Sequence, residues 1–194
     1  MKIYTKKGDS GKTLTVKGAK VSKASTQIEL QGSIDEVNSM MGHLRAVVLK
    51  TGNNARYKIL IEILCEQLKH VQKTLYKIGI DISNDFETQY VKDADIKILE
   101  NDIDNMNMKT GDLEHFIYLS GHETATYAHT LRSVIRRAER VFVKYMEELD
   151  SNEADKKIPF DYQYMNRLAD YIFQVARYLN WFFDFDEEMM ILDE

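Results

Sequence analysis

The chain is poor in the residues that cross-link, kink or anchor a protein: 194 residues include one cysteine, one proline and one tryptophan. A single cysteine excludes an intramolecular disulfide, and Cys65 lies in an apolar helical pattern, as a buried thiol in a reducing compartment does. With Pro159 the only proline, long uninterrupted helices are allowed. No apolar run approaches the roughly 18–20 residues of a membrane span. The N-terminal Met-Lys-Ile-Tyr-Thr-Lys-Lys lacks the apolar core of a signal peptide, so a cytoplasmic, membrane-free protein is expected. A net charge of −5 argues against a general nucleic-acid binder. There is no internal repeat and no low-complexity segment. What remains is an ordinary globular composition, 44% hydrophobic and 29% charged, long enough for one domain over residues 1–194.

Residues 1–23 differ from everything after them. They are rich in Lys, Gly and hydroxyl residues, and they predict an irregular loop in which Leu14-Thr15-Val16 forms a short extended piece. The following chain, 26–183, reads as helix after helix. Apolar residues recur at three- and four-residue steps over about 26–49, 55–82, 93–108, 122–149 and 159–183. In the second segment the seam is Leu60, Leu64, Leu68, Val71, Leu75 and Ile78. Turns are expected at 51–54 and 150–152, and a connector with Phe116 and Gly121 at 109–121. The tail, 184–194, is acidic and apolar and carries no assignment. Short connections between long helices predict an all-α bundle of five helices behind an irregular N-terminal loop.

The fourth segment carries Arg132, Arg136 and Arg140, spaced four apart and so aligned on one helical face, with Arg137 and Glu139 beside them. Two readings stay open. Such a face can be solvated and partly ion-paired, or it can bind a polyanion, because guanidinium forks match phosphate oxygens. Gly8-Asp9-Ser10-Gly11-Lys12-Thr13 is not a P-loop. Lys6 stands where that motif needs its first Gly, and no helix start follows. A Gly-, Thr- and Lys-rich loop still offers backbone N–H groups to phosphate. His122-Glu123 lacks the second histidine of a zinc-protease helix, since position 126 is Thr. His122 and His129 share a face without a third ligand and read as surface or capping residues, so no metal site is expected. Asp35-Glu36 is a mid-helix acidic pair, either a catalytic carboxylate or a partner for arginine.

Four stretches in order resemble the PduO-type ATP:corrinoid adenosyltransferases. They are Tyr4-Thr5-Lys6-Lys7-Gly8-Asp9-Ser10-Gly11-Lys12-Thr13 with Lys23 downstream, Gly32-Ser33-Ile34-Asp35-Glu36-Val37-Asn38-Ser39, Arg132-Ser133-Val134-Ile135-Arg136-Arg137-Ala138-Glu139-Arg140, and Asn166-Arg167-Leu168-Ala169-Asp170 with Ala176-Arg177-Tyr178. The likeness runs from Met1 to about Asn180. It implies a five-helix bundle that assembles as a homotrimer with active sites between subunits. It also implies transfer of the 5′-deoxyadenosyl group of ATP to Co(I) of a corrinoid, with release of triphosphate. By this resemblance Thr5, Lys6, Lys7, Gly8, Asp9, Thr13 and Lys23 fold over ATP, and Arg136, Arg137, Glu139, Arg140 and Asn166 complete the nucleotide site. Glu139 and Asp35 would orient arginines. Asp35 and Arg132 match a pair that bridges subunits beside the corrinoid, and Phe116 an aromatic that keeps the lower cobalt ligand away. Mg²⁺ would accompany the triphosphate, a cob(II)alamin reductase would supply Co(I), and an adenosylcobalamin-dependent client enzyme is a further possible partner. One departure stands out: a Pro-Gly-Gly-like turn usually follows that aromatic in the family, whereas here Ile117-Tyr118-Leu119-Ser120-Gly121 follows. The alternatives are a carrier that binds ATP and corrinoid with little turnover, and a structural bundle whose arginines only pair with acids.

Overall fold

The computed structural model describes residues 3–51, 57–150 and 158–191. Five helices make the body: α1 (Thr26–Thr51), α2 (Lys58–Ser83), α3 (Asp93–Thr110), α4 (Glu123–Asp150) and α5 (Phe160–Phe182). Two short strands, β1 (Lys12–Leu14) and β2 (Lys20–Ser22), precede them. The all-α bundle expected from periodicity is therefore the fold. The turns expected at 52–54 and 151–152 lie outside the described residues.

In the bundle α1 packs on α2 and α4, α4 on α5, and α5 on α3. Side chains also tie α3 to α2: Lys77 Nζ meets Asp95 Oδ1 at 2.8 Å, and Gln67 Nε2 donates to Asp102 Oδ1 at 2.8 Å. The seam of α2 is Ile61, Leu64, Leu68, Val71, Leu75, Ile78 and Ile82, alternating three- and four-residue steps. Leu60, expected in that seam, is 38% exposed. The step back from Leu64 is three residues, so Ile61 takes the inward position. Cys65 is a buried free thiol, as expected, and burial raises its pKa. Helix α5 is apolar on most of its circumference, with Tyr164, Leu168, Tyr171, Ile172, Val175 and Leu179 buried. A helix buried in this way belongs at the centre of the packing.

Two helix ends carry unusual detail. At the start of α4, His122 N donates to Asn180 Oδ1 at 2.9 Å, and Asn180 Nδ2 donates to Ser120 O at 3.0 Å. The His122 ring accepts from Thr124 N at 3.3 Å, so His122 caps the helix as a capping residue should. Gly121 sits against the Asn180 amide at φ +111, where a side chain would be both strained and in collision with that amide. The connector thus keeps one glycine where the close approach requires it. At the end of α2, Phe86 N donates to Asp81 O at 2.9 Å and Asp85 N to Ile82 O at 3.1 Å, the paired bonds of a Schellman motif. Asp85 and Phe86 there adopt φ of +54 and +61.

Asp81 and Asp161 are both fully buried. Asp81 Oδ2 accepts the N–H groups of Tyr90 at 2.7 Å and Val91 at 3.1 Å. Burial, and then the neighbouring Asp81, push the Asp161 carboxyl up to about 8. A proton on Asp161 converts two facing acids into an acid–carboxylate hydrogen bond. It gives a partner to oxygens of both groups that otherwise have none among the described residues.

Two outcomes are expected. Gly121→Ala should destabilise the fold by about 1–3 kcal/mol, seen as a lower melting temperature. The raised Asp161 means that the folded state holds a proton which the unfolded chain has released. Its contribution is thus greatest near pH 4 and is lost as pH rises toward 8. Asp161→Asn, whose amide donates at every pH, should flatten that decline and leave the variant more stable than wild type near pH 8, measured by denaturant unfolding at both ends of the range.

Candidate nucleotide and corrinoid site

The N-terminal segment is irregular over residues 3–11, as expected, and ends in a short β-hairpin. Its register pairs Lys12 with Ser22, Thr13 with Val21 and Leu14 with Lys20. Extended structure therefore stops at Leu14, and Val16 lies in the turn. Thr15 N donates to Ala19 O at 2.9 Å and Gly18 N to Thr15 O at 2.9 Å, with Gly18 at φ +79. The turn chemistry of Gly18 closes a hairpin that hydropathy cannot reveal, because both strands are half exposed.

One face of the hairpin is a concavity of about 460 Å³ lined by Thr5, Lys7, Gly8, Lys12, Thr13, Leu14 and Lys20. Thr5, Lys7, Gly8 and Thr13 were expected there. Lys12 and Lys20 join them through the strand register. Lys23 lies over Gly8: a Cβ added at Gly8 would stand 2.7 Å from Lys23 Nζ. The hairpin thus gathers lysines, hydroxyls and backbone around one hollow, a composition suited to phosphate. Lys6 and Asp9 are exposed in the same loop.

On α4 the arginine line divides by environment. Arg137 Nη2 is paired with Glu36 Oε2 of α1 at 2.6 Å. This gives the Asp35-Glu36 pair its arginine-bonded reading at Glu36. Arg136 and Arg140 are exposed, and among the described residues neither has a carboxylate within ion-pair distance. Arg140 Nη1 donates to Arg136 O at 3.0 Å, which lays its side chain back along the helix. Glu139 Oε1 accepts from Asn166 Nδ2 of α5 at 2.9 Å, and among the described residues it pairs with no arginine. Glu139 and Asn166 thus meet where α4 faces α5, Arg136 and Arg140 stand exposed on α4, and Arg137 turns toward α1.

Arg132 is set apart. Its guanidinium lies 5.1 Å from the Phe173 ring centroid, and burial, followed by Arg136, lowers its pKa. Asp35 is exposed on α1, and the chain does not pair it with Arg132 among the described residues. His129, expected at the surface, is buried beside Phe173, with ring centroids 5.8 Å apart. Burial, and then Arg132, push its pKa down to about 4, so it is neutral at ordinary pH.

Phe116 is 77% exposed in the α3–α4 connector. Its loop is braced by the tail, the stretch that sequence left unassigned. Met190 N donates to Phe116 O at 2.8 Å, Tyr118 N to Glu188 O at 2.9 Å, and Ile117 pairs with Met189. Arg177, only 4% exposed, anchors that tail with both forks: Nε to Glu187 Oε1 at 2.9 Å and Nη2 to Glu187 Oε2 at 3.1 Å. Its third nitrogen reaches Gly111 O at 3.1 Å. The available signal was Arg177 itself, a cation on an apolar helix face that demands a buried acid.

Gly8→Ala is expected to displace the Lys23 ammonium and leave the fold intact, because the displaced group is the end of a flexible side chain. Calorimetric titration should show a several-fold weaker affinity for ATP with an unchanged melting temperature.

Residues 3–179 match the profile of the family described as Cobalamin adenosyltransferase. The chain is 34% identical to a corrinoid adenosyltransferase of Bacillus subtilis (strain 168), over 93% of this chain and 87% of that one. It is 35% identical to a cobalamin adenosyltransferase of Cupriavidus metallidurans, over 92% of this chain and 88% of the other. Among solved structures, it superposes on a variant PduO-type ATP:corrinoid adenosyltransferase from Lactobacillus reuteri complexed with cobalamin and ATP. The TM-score is 0.82 at 27% identity, covering 97% of this chain and 99% of the other. Fold, motif order and full-length similarity agree: the chain belongs to the cobalamin adenosyltransferase family.

Proposed function

We propose that the protein transfers the 5′-deoxyadenosyl group of ATP to Co(I) of a corrinoid, and that the exposed Arg136–Arg140 face receives the triphosphate. The observation that carries this assignment is the state of those two arginines. Arg137 is neutralised by Glu36, whereas Arg136 and Arg140 are exposed and, among the described residues, form no ion pair. The hairpin hollow, with Lys7, Lys12 and Lys20, supplies a second cationic wall.

In the reaction the Co(I) lone pair attacks the ribose C5′, and the C5′–O bond to the α-phosphate breaks with its electrons leaving on triphosphate. Co(I) needs no general base. The chain's contribution is to align the reactants and stabilise charge on the departing oxygens. Asn166 and Glu139, joined at 2.9 Å, would fix the nucleoside end relative to Arg136. Mg²⁺ would be held chiefly by the phosphates, since among the described residues no three His, Cys, Asp or Glu side chains gather. It would add charge neutralisation there. Phe116, exposed and apolar on its braced loop, suits the role of excluding a lower axial ligand from the corrinoid.

A homotrimer with sites between subunits would bring Asp35, exposed on α1, and Arg132 together across a boundary, and among the described residues neither forms an ion pair within the chain. A cob(II)alamin reductase as electron source, an adenosylcobalamin-dependent client and a cytoplasmic setting belong to the same reading. No described helix is long and apolar enough to cross a membrane.

Arg136→Ala should slow adenosylation by about 10²–10³-fold, the usual effect of removing one preorganised charge donor, with the helical fold intact. The loss of the cob(I)alamin spectrum after mixing with Mg-ATP measures it. An unchanged rate would overturn the assignment. A wild-type protein that binds both ligands without forming a cobalt–carbon bond would support the carrier reading instead.

A further inference from the structure

Asp85 occupies the one position of a Schellman motif that most favours glycine. It is the residue after the α2 cap, at φ +54. Aspartate tolerates that conformation better than most side chains, but glycine tolerates it without cost. A carboxylate retained there points to work done by its oxygens. Those oxygens are fully used. Oδ1 accepts the Tyr145 hydroxyl of α4 at 2.6 Å and Gln27 Nε2 of α1 at 2.9 Å. Oδ2 accepts Lys17 Nζ at 2.9 Å.

Lys17 stands in the hairpin turn between Thr15 and Ala19, and its ammonium also reaches Glu87 Oε1 at 2.7 Å. The same turn therefore hangs on two carboxylates of the α2–α3 connection. Phe86, also left-handed at φ +61, is seated against Phe142 of α4, with ring centroids 5.5 Å apart and nearly parallel. It thereby fixes the backbone from which Asp85 projects. Tyr145 follows Arg140 by five residues on α4, about 7.5 Å of helical rise. One carboxylate thus relates the lysine-lined hairpin to the helix that carries the arginine face.

We propose that Asp85 is a positioning residue for the nucleotide site, holding the hairpin in place on the bundle through Lys17 while Tyr145 and Gln27 hold Asp85. This rests on the assignment of the hairpin as a nucleotide wall. Asp85 touches neither substrate nor reacting atoms. Its effect is to keep Lys7, Lys12 and Lys20 in register with α4 before ATP arrives, so that binding does not have to order them.

The test uses the full-length protein and Mg-ATP. Asp85→Gly suits the backbone and deletes the carboxylate. Lys17→Met deletes the cation from an exposed turn, and Lys17→Arg preserves it. Asp85→Gly and Lys17→Met should each raise KM and Kd for ATP roughly two- to tenfold, the scale of a small exposed charge cluster. Corrinoid KM and kcat at saturating ATP should stay at wild-type values. The double variant should be no worse than either single one, because both break the same tie. Lys17→Arg should restore wild-type affinity, and trypsin should cut the hairpin faster in Lys17→Met than in Lys17→Arg. Unchanged ATP affinity in Lys17→Met would overturn the proposal. So would an Asp85→Gly variant that loses stability and kcat while Lys17→Met behaves as wild type, since Asp85 would then serve only the fold. If wild-type protein fails to bind ATP at all, the nucleotide reading fails, and that result is distinct from variants that bind as wild type does.

Discussion

Burial of α5 on most of its surface is the constraint from which the site follows. Polar groups buried on a central helix are costly without partners, and several of those on α5 reach neighbouring segments. Asp161 finds Asp81 of α2, Asn166 finds Glu139 of α4, and Phe173 lies under Arg132. Arg177 takes Glu187 of the tail and the Gly111 carbonyl, and Asn180 binds the chain entering α4. The bonds of the buried Arg177 and Asn180 remove a desolvation penalty and also fix the tail and the start of α4. Glu139 on the arginine-bearing face of α4, Arg132 and the tail that braces the Phe116 loop are all referenced to one helix.

Charge is shared out with the same economy. Of the arginines on α4, Arg137 is spent on Glu36 and so joins α4 to α1. Arg132 is partly desolvated on an aromatic ring. Arg136 and Arg140 are exposed and form no ion pair among the described residues. A four-residue repeat places such residues on one side of a helix, but neighbouring helices decide which of them are neutralised. The hairpin shows the complementary case. Lys17 is committed to Asp85 and Glu87, while Lys7, Lys12 and Lys20 surround a hollow.

Much was legible along the chain. Helix bounds fell within a few residues of expectation, because apolar steps of three and four survive in any amphipathic helix. Leu60 was misplaced because a seam of alternating steps has two possible phases at its end, and only packing selects one. The hairpin was missed because its strands are three residues each and mostly exposed, too short for alternation to register. His129 was read as surface because a lone histidine on a helix has no intrinsic side, and its burial depends on Phe173 of another helix. The tail was unreadable because its role lies in main-chain hydrogen bonds to Phe116 and Tyr118, which any residues could make.

By itself, then, the sequence determined the class of fold, the helix-borne arginine line, the phosphate-suited N-terminal composition and the family likeness, since periodicity, residue type and motif order are all local properties. Only the tertiary structure decided which arginine is neutralised, which acid takes the hairpin, what braces Phe116, and that burial beside Asp81 raises the Asp161 pKa. Those outcomes depend on distances between residues far apart in the chain, where burial penalises every polar group that lacks a partner.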